Sequence, residues 1–246
     1  MSDQGETPST KLEFQWDGET MEFECFDNRL SRLACEAILS GRTYRPIPFV
    51  RDVGVVMDIG ANVGAAAVVF SLSYPDARVF AFEPASSAYR LLEANTDARP
   101  NVHAHNFGMY SSNLQVPLYR GTYDSVMSSV ARSESTREES ELITLRSVRE
   151  WLEGNSISQI DILKIDTEGC EVAILEALGD LLPSVKVVHL EYHSDDDRKE
   201  FDRILGDTHL LLHGQMLVHL GEVTYVAKDA FESEAELDRR PIKLQL

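Results

Sequence analysis

A glycine loop and a later carboxylate are the first residues in this sequence that could do chemistry together. An apolar run ends near Asp58 and is followed by Gly60, Asn62 and Gly64, which predicts a strand, a tight loop and a helix. Glycines let the backbone turn sharply and approach a ligand without a side-chain clash. The next apolar run ends at Glu83, where a carboxylate suits the two hydroxyls of a ribose. We therefore predict a ligand that contains adenosine, bound by these five residues.

The glycine loop departs from the dinucleotide fingerprint Gly-x-Gly-x-x-Gly. Asn62 stands where that fingerprint has its second glycine, the residue that makes room for a pyrophosphate. An ordinary turn between a strand and a helix would account for the glycines alone. It would not account for Glu83 at the end of the next strand. S-adenosylmethionine, which need not bring a pyrophosphate, therefore fits these residues better than NAD.

A second acidic stretch follows another apolar strand. That strand contains Lys164 and ends at Asp166, with Glu168 two residues further on. A lysine in a central strand must meet a carboxylate or a ligand. If the sheet is parallel, Asp166 and Glu168 lie on the same edge as Gly60 and Glu83. We predict that Asp166 serves the cofactor and the reacting groups and that Glu168 contacts the substrate. The alternative for Glu168 is stabilisation of the next helix N-terminus.

The strand predicted over residues 185–190 runs into Glu191, Tyr192 and His193. Side chains alternate along a strand, so Glu191 and His193 point to the same side. A histidine beside a carboxylate is a workable general base near neutral pH, because the carboxylate orients it and stabilises its charged form. Asp166, Glu191 and His193 could instead hold a divalent cation, since mixed oxygen and nitrogen donors permit one. We favour a base without a metal, with these three residues as the catalytic group.

The elements before the glycine loop are read from periodicity and turn residues. Residues 1–10 are polar and predict a disordered tail. Residues 11–25 alternate and predict a hairpin whose loop exceeds two residues, and residues 28–40 predict a helix. An extended connector over residues 42–50 carries Tyr44, which we place over the ligand loop as a substrate contact, with plain packing as the alternative. Residues 11–50 are thus an appendage to the domain that follows.

Strands and helices alternate over much of residues 51–230, which predicts one α/β domain with a doubly wound sheet. The strand that starts at Val102 leads into Asn106 and Phe107. These two residues are predicted to meet an adenine, because ligands lie beyond the carboxyl ends of such strands. Residues 121–141 are serine-rich and predict either a lid or substrate loop or a surface excursion.

The last part of the domain predicts strands rather than helices. Residues 209–212, 216–220 and 223–227 read as short strands, with a turn at residues 220–222. A doubly wound sheet that finishes with an antiparallel hairpin is the arrangement of class I methyltransferases. The tail over residues 231–246 is charged and then apolar and receives no assignment.

Composition limits the classes of function. The 246 residues include 23 Lys and Arg against 41 Asp and Glu, a net charge of −18. This acidity argues against a protein that holds nucleic acid on a broad basic face. Neither a membrane span nor a signal peptide is indicated by the apolar runs. Cys25, Cys35 and Cys170 lack metal-ligand spacing and cannot all pair, which indicates a reducing, cytoplasmic compartment.

Five blocks together resemble the FkbM family of S-adenosylmethionine-dependent methyltransferases. They are Asp58–Gly64, Phe82–Pro84, Asn95, Leu163–Glu171 and Leu190–His193. The Lys-Ile-Asp-x-Glu-Gly-x-Glu block is the most specific of them, and the resemblance covers roughly residues 50–195. It implies a Rossmann-like class I methyltransferase fold and O-methylation of a hydroxyl on a small metabolite or sugar, often in natural-product or polysaccharide pathways.

One position departs from the family pattern. The family usually has an aspartate after Thr144 and Leu145, and this chain has Arg146 instead. We predict that Arg146 contacts a different acceptor. Two other classes of function remain open: a protein that binds an adenosine ligand without catalysis, and a nucleotide-dependent oxidoreductase. Asp166 and His193 argue against the first, and Asn62 argues against the second.

Overall fold

The computed structural model describes residues 8–120 and 138–230 of the chain. The strands are β1 (Ser9–Trp16), β2 (Glu19–Phe26), β3 (Val55–Ile59), β4 (Arg78–Phe82), β5 (Val102–His105), β6 (Gly108–Tyr110), β7 (Leu114–Arg120), β8 (Glu138–Ser147), β9 (Ile162–Ile165), β10 (Val187–Tyr192), β11 (His209–Met216) and β12 (Gly221–Ala227). The helices are α1 (Arg29–Leu39), α2 (Ala65–Ser73), α3 (Ser86–Thr96), α4 (Val148–Gly154), α5 (Glu171–Leu178) and α6 (Asp195–Leu205), with 3₁₀ turns at Gly179–Ser184 and Lys228–Ala230.

A seven-stranded sheet in the order β11-β12-β10-β9-β3-β4-β5 forms the centre of the described structure. The five strands from β10 to β5 run parallel, and β12 lies antiparallel between β10 and β11. The chain reverses its direction of winding next to β3, which lies between β9 and β4. Ligands of open α/β sheets bind at such a switch point, beyond the carboxyl ends of the strands. The predicted doubly wound sheet with a C-terminal antiparallel hairpin is confirmed.

The central strands are buried because helices cover both faces of the sheet. All five residues of β3 are buried, as are all four of β9, which is typical of parallel strands without a solvent-facing side. Helix α2 supports one face with small side chains, and its residues from Ala65 to Ser71 are all buried. Close packing of this kind fixes the heights of the strand ends, and those ends carry the candidate site.

Asn95 on α3 ties the N-terminal appendage to the glycine loop. Its side-chain amide donates to the carbonyls of Glu24 and Val63, both at 2.8 Å. Its Oδ1 accepts the backbone N–H of Glu24, also at 2.8 Å. One side chain therefore satisfies backbone groups of β2 and of the loop before α2, which explains an asparagine at this position.

The N-terminal hairpin has a tighter turn than predicted. Trp16 pairs directly with Glu19, so only Asp17 and Gly18 form the loop. Their φ angles of 49° and 83° are those of a two-residue turn with two left-handed positions, a conformation that Asp-Gly favours. The predicted longer loop was wrong, and Ser9 and Thr10, predicted to belong to the tail, lie in β1.

The C-terminal hairpin also differs from prediction. Strand β11 continues to Met216, so the strands predicted at residues 209–212 and 216–220 were wrong in their bounds. The N–H of Leu217 donates to the carbonyl of Leu220 at 2.9 Å and closes a turn there. Leu217 is 73% and Val218 72% exposed. These apolar residues, which were predicted to lie in a strand, form the tip of the hairpin.

A second, smaller sheet lies beside the domain, with β8 between β6 and β7. Strand β8 begins at Glu138, so residues 138–141 of the predicted loop belong to a strand. The rest of that predicted loop, the tail at residues 231–246 and residues 1–7 lie outside the described residues. Within the described ranges, no helix has the length and apolarity that a membrane crossing requires.

Candidate active site

The glycine loop after β3 is shaped by two close contacts. Gly60 has a φ of +78°, and a Cβ on it would lie 1.8 Å from the carbonyl oxygen of Asp166. Gly64 has a φ of +91°, and a Cβ there would lie 2.8 Å from Cδ1 of Leu92. The first glycine lets the loop touch the backbone of the second acidic stretch, and the second lets α2 pack against α3. The two candidate regions are thus joined through Gly60.

Glu83 follows β4 and is 8% exposed. Its Oε2 accepts the backbone N–H of Asn62 and its Oε1 accepts that of Ala85, both at 2.8 Å. Burial raises the pKa of the Glu83 carboxyl to about 7, although the two N–H groups lower it. A carboxylate oxygen can accept more than one hydrogen bond, so this oriented group can still receive ligand hydroxyls.

A cleft of about 1040 Å³, including the solvent at its mouth, opens beside Glu83. Its walls mix loop residues, the second acidic stretch and apolar side chains of α1, α3 and the small sheet. The lining residues are Ala34, Ile59, Gly60, Asn62, Glu83, Pro84, Ala88, Gly108, Met109, Leu118, Ile143, Leu145, Asp166, Thr167, Glu168, Cys170 and Glu191.

The apolar wall was missed from the sequence. Leu118 on β7 and Ile143 and Leu145 on β8 reach the cleft, and Ala34 reaches it from α1. The signal in the sequence was the alternation of side chains along residues 142–146. In the structure Ile143 and Leu145 are buried, while Leu142 and Arg146 are exposed. Which side of β8 would face a ligand could not be read without the partner strands.

Asn106 and Phe107 were predicted to meet an adenine, and the structure places them behind the cleft wall. The amide of Asn106 donates to the carbonyls of Glu83 and Pro84 at 3.0 and 3.2 Å. Phe107 is buried, with its ring centroid 5.6 Å from that of Phe82. Neither residue is part of the cleft lining, so in this conformation both support the segment that bears Glu83.

Arg146, predicted to contact the acceptor, lies on the opposite side of β8 from Leu145. Its guanidinium carbon is 4.0 Å from the centroid of the Phe107 ring. Its contact is with Phe107, another predicted site residue that lies outside the cleft lining, so the stacked position does not bring the cation to the cleft.

Asp58 was predicted to bind the cofactor, and it is completely buried beneath the loop. Lys164 on β9 lies 3.0 Å from its Oδ1 and donates to the carbonyl of Gly60 at 2.5 Å. Burial raises the pKa of Asp58, while Lys164 opposes that shift. Burial also lowers the pKa of Lys164, but Asp58 and Asp166 raise it above its ordinary value. The pair holds the strand ends together, and Asp58 does not line the cleft.

Four side chains converge where β9 and β10 end. Ligand atoms of Asp166, Glu191 and His193 all lie within 4.8 Å of one another. His193 Nε2 is 3.5 Å from Oε2 of Glu191 and 3.5 Å from Oε2 of Glu168. The predicted convergence of these residues at one sheet edge is therefore present. Glu168, Asp166 and Glu191 also line the cleft, and His193 lies beside them without lining it. We call these four residues the acid–histidine cluster.

The charge states within the acid–histidine cluster are set by burial and by how close its carboxyl groups lie to one another. Burial and the neighbouring Asp166 raise the pKa of Glu191 far above its usual range. Burial raises the pKa of Asp166, but Lys164, Glu191 and Tyr44 together hold it below its ordinary value. Glu191 therefore carries the proton beside an ionised Asp166 at neutral pH, as expected for two carboxyl groups in contact.

Tyr44 reaches this cluster from the connector before β3. Its hydroxyl donates to Oδ2 of Asp166 at 2.9 Å, and the residue is 6% exposed. Tyr44 was predicted to be a substrate contact, with packing as the alternative. It is buried against Asp166 and does not line the cleft.

Glu171 stabilises the loop that presents Glu168. Its Oε1 accepts the N–H of Thr167 at 2.7 Å, and its Oε2 accepts that of Gly169 at 2.9 Å. Glu168 itself has a φ of 60°. Glu171 therefore has the structural role that a carboxylate at a helix N-terminus was expected to have, and Glu168 is left to face the cleft.

The residues of this site lie in a region that matches a known family. The Methyltransferase FkbM domain model matches residues 58–227, which include the glycine loop, Glu83 and the acid–histidine cluster. A hexuronic acid methyltransferase, AglP, of Haloferax volcanii is 29% identical over 157 residues, covering 63% of this chain. The chain spans 63% of the length of that relative.

Two further proteins are similar to this chain. Methyltransferase 1 of Beauveria bassiana is 25% identical over 185 residues, covering 65% of this chain and 74% of that protein. The fibrillarin pre-rRNA processing protein of Methanococcus jannaschii shares the fold with a TM-score of 0.50 at 12% identity, covering 89% of this chain and 83% of that one. The last likeness concerns the fold alone.

Proposed function

This chain belongs to the FkbM methyltransferase family, and we propose that it methylates a hydroxyl of a small metabolite or sugar. The match to a methyltransferase domain supports methyl transfer with S-adenosylmethionine as the donor. The acid–histidine cluster at the cleft is the observation that supports a hydroxyl acceptor.

Glu83 and the glycine loop are the residues that would hold the cofactor. The cleft they border has a mixed polar and apolar lining, which suits an adenosine. The carboxyl group of Glu83 is fixed by two backbone N–H groups and can accept hydroxyl hydrogen bonds. When bound, S-adenosylmethionine supplies a methyl group on a sulfonium, which an oxygen can attack in line.

An alcohol is a poor nucleophile until its proton is removed, and an amine near neutral pH needs less help. His193 is suited to take that proton, because its Nε2 is buried without a hydrogen-bond partner in the structure. Glu168, whose Oε2 lies 3.5 Å away, would stabilise the imidazolium that forms. Asp166 and Glu191 complete the catalytic group and orient the acceptor.

The same donors could hold a divalent cation that lowers the pKa of the acceptor. We propose the base without a metal, because His193 and Glu168 lie 3.5 Å apart and form a histidine–carboxylate pair that can take a proton near neutral pH. Turnover should then survive a chelator. If a chelator abolishes turnover and manganese or magnesium restores it, the assignment moves to the metal.

A polar metabolite or a sugar is the acceptor class that the relatives support. AglP is named for a hexuronic acid, and the net charge of −18 does not suit a nucleic acid held on a basic face. The test is incubation with isotopically labelled S-adenosylmethionine and panels of uronic acids, neutral sugars and macrolide polyols, followed by NMR of the product. An O-methyl signal supports the proposal, while an N-methyl or C-methyl product, or methylated bulk RNA, contradicts it.

A further inference from the structure

The residues before the family match contribute to the site. The match begins at residue 58, yet Ala34 on α1 lines the cleft and Tyr44 bonds to Asp166. Neither residue belongs to the alternating strands and helices of the domain. The N-terminal segment is therefore more than a packed appendage, and Tyr44 is its direct contact with the acid–histidine cluster.

Tyr44 is held in an unusual conformation. Its φ is 50°, in the left-handed region that bulky residues rarely adopt. The ring centroid lies 5.2 Å from Nζ of Lys164 and 5.9 Å from the centroid of the His189 ring. A strained backbone persists only where surrounding contacts over-determine it, and such residues gather at functional sites. The contact at the end of this side chain is Asp166.

The turn before β3 presets the tyrosine. The N–H groups of Arg42 and Thr43 both donate to the carbonyl of Ala37, at 2.9 and 3.3 Å. Nε of Arg45 donates to the carbonyl of Gly41 at 2.9 Å. These contacts tie both sides of Tyr44 to the end of α1, so its ring enters the domain from a fixed point.

We propose that Tyr44 is a positioning residue whose hydroxyl holds Asp166 against Glu191, so that the acceptor meets a fixed carboxylate. This rests on the proposed function, in which Asp166 orients the acceptor. Lys164 cannot do the same alone, because its Nζ is 3.6 Å from Asp166 and 3.0 Å from Asp58. Tyr44 adds a neutral donor at 2.9 Å from a separate part of the chain.

The first test compares Tyr44→Phe with Tyr89→Phe. Tyr89 is a matched control, because its hydroxyl also donates to a carboxylate, Glu93 at 3.2 Å, but on the exposed surface of α3. Tyr44→Phe should lower kcat about 10-fold, the size of one hydrogen bond to a charged group. The Kd for S-adenosylmethionine should stay within about 2-fold of the wild-type value, since the Tyr44 hydroxyl is not expected to contribute to cofactor binding. Tyr89→Phe should change neither.

The second test reads the pH dependence, which a packing role would not move. The titratable groups around Asp166 come from several elements: Lys164 from β9, Glu191 from β10, His193 just after β10, Glu168 from the loop before α5 and Glu222 from β12. Tyr44 lowers the pKa of Asp166, so its loss should move the acid limb of the kcat profile to higher pH. The pKa that this limb reports belongs to the coupled pair of Asp166 and Glu191 rather than to one residue. The same shift should appear in a ¹³C NMR titration of labelled aspartate, which needs no acceptor.

The outcomes separate this inference from the proposed function. An unchanged kcat, or an unchanged titration, in folded Tyr44→Phe overturns the role of Tyr44. If Tyr44→Phe does not fold, Tyr44→Met fills the same space without a hydroxyl and takes its place. The position of the methyl group in the product tests the proposed function separately, because Tyr44 can be scored on any acceptor that is turned over.

Discussion

The two halves of the cleft are built by different kinds of contact. On the proposed cofactor side, Glu83 is held by backbone N–H groups of Asn62 and Ala85, within its own strand–loop–helix surroundings. On the proposed acceptor side, Asp166 and His193 meet side chains from other elements, among them Tyr44 at a separation of 122 residues from Asp166. The first half is set by local backbone, and the second by tertiary contacts between ionisable groups.

This difference predicts different sensitivities. A group held by backbone amides keeps its place when neighbouring side chains change. A cluster held by side chains changes its charge and its geometry together, because each carboxyl group alters the pKa of the next. Substitutions on the acceptor side should therefore affect turnover, and those on the cofactor side should affect binding.

The largest effect is expected from His193→Ala. Loss of a general base lowers kcat by about 10²–10⁴-fold, while the Kd for S-adenosylmethionine, measured by calorimetry, should hardly change. Glu153→Ala, which removes an exposed carboxylate paired with Arg149 on α4, serves as the control. Near-normal turnover of the His193 variant would remove that residue from the mechanism and weaken the division into two halves.

Glu83→Ala should have the opposite signature. It should weaken binding of S-adenosylmethionine by about 1–3 kcal/mol, the size of lost hydrogen bonds to a charged group. The cofactor should raise the Tm of the wild-type protein, because it binds the folded state, and should raise that of the variant less. Stabilisation by NAD, with none by S-adenosylmethionine, would contradict the assignment of this side.

The raised pKa of Glu83 predicts that cofactor affinity depends on pH. Below its pKa of about 7 the carboxyl group is protonated, and above it the ionised group can accept both ribose hydroxyls. Affinity should therefore rise with pH, by about 10-fold between pH 6 and pH 8 if only the ionised form binds. Calorimetry on Glu83→Gln should give a flatter profile. A wild-type affinity that falls over this range would refute the role of the charge.

The smallest effect is expected from Arg146→Ala. The cation lies over Phe107 outside the cleft, where such a contact contributes about 0.5–1 kcal/mol to stability. The Tm should fall slightly, and the KM for the acceptor should not change. A large rise in that KM would return Arg146 to the substrate site and show that the cleft extends around β8.

Local sequence determined the parts that depend on local physics. The apolar strand before Asp58, the glycine turn and Glu83 at the next strand end predicted the cofactor side, because strand ends in a parallel sheet share one edge. The same rule brought Asp166 and Glu191 to that edge. The helix predicted over residues 28–40 also followed from the local pattern, and the structure caps it with the side chain of Asn28.

Other features were decided by tertiary structure. The apolar run near Leu217 became a hairpin tip, because strand pairing with β12 ends at Met216. Gly60 is required because the carbonyl of Asp166 lies against it, and a contact across 106 residues leaves no local signal. Tyr44 is visible only as one aromatic residue in a connector. Its role depends on where α1 places the turn and on the charge of Asp166, and both are products of the folded chain.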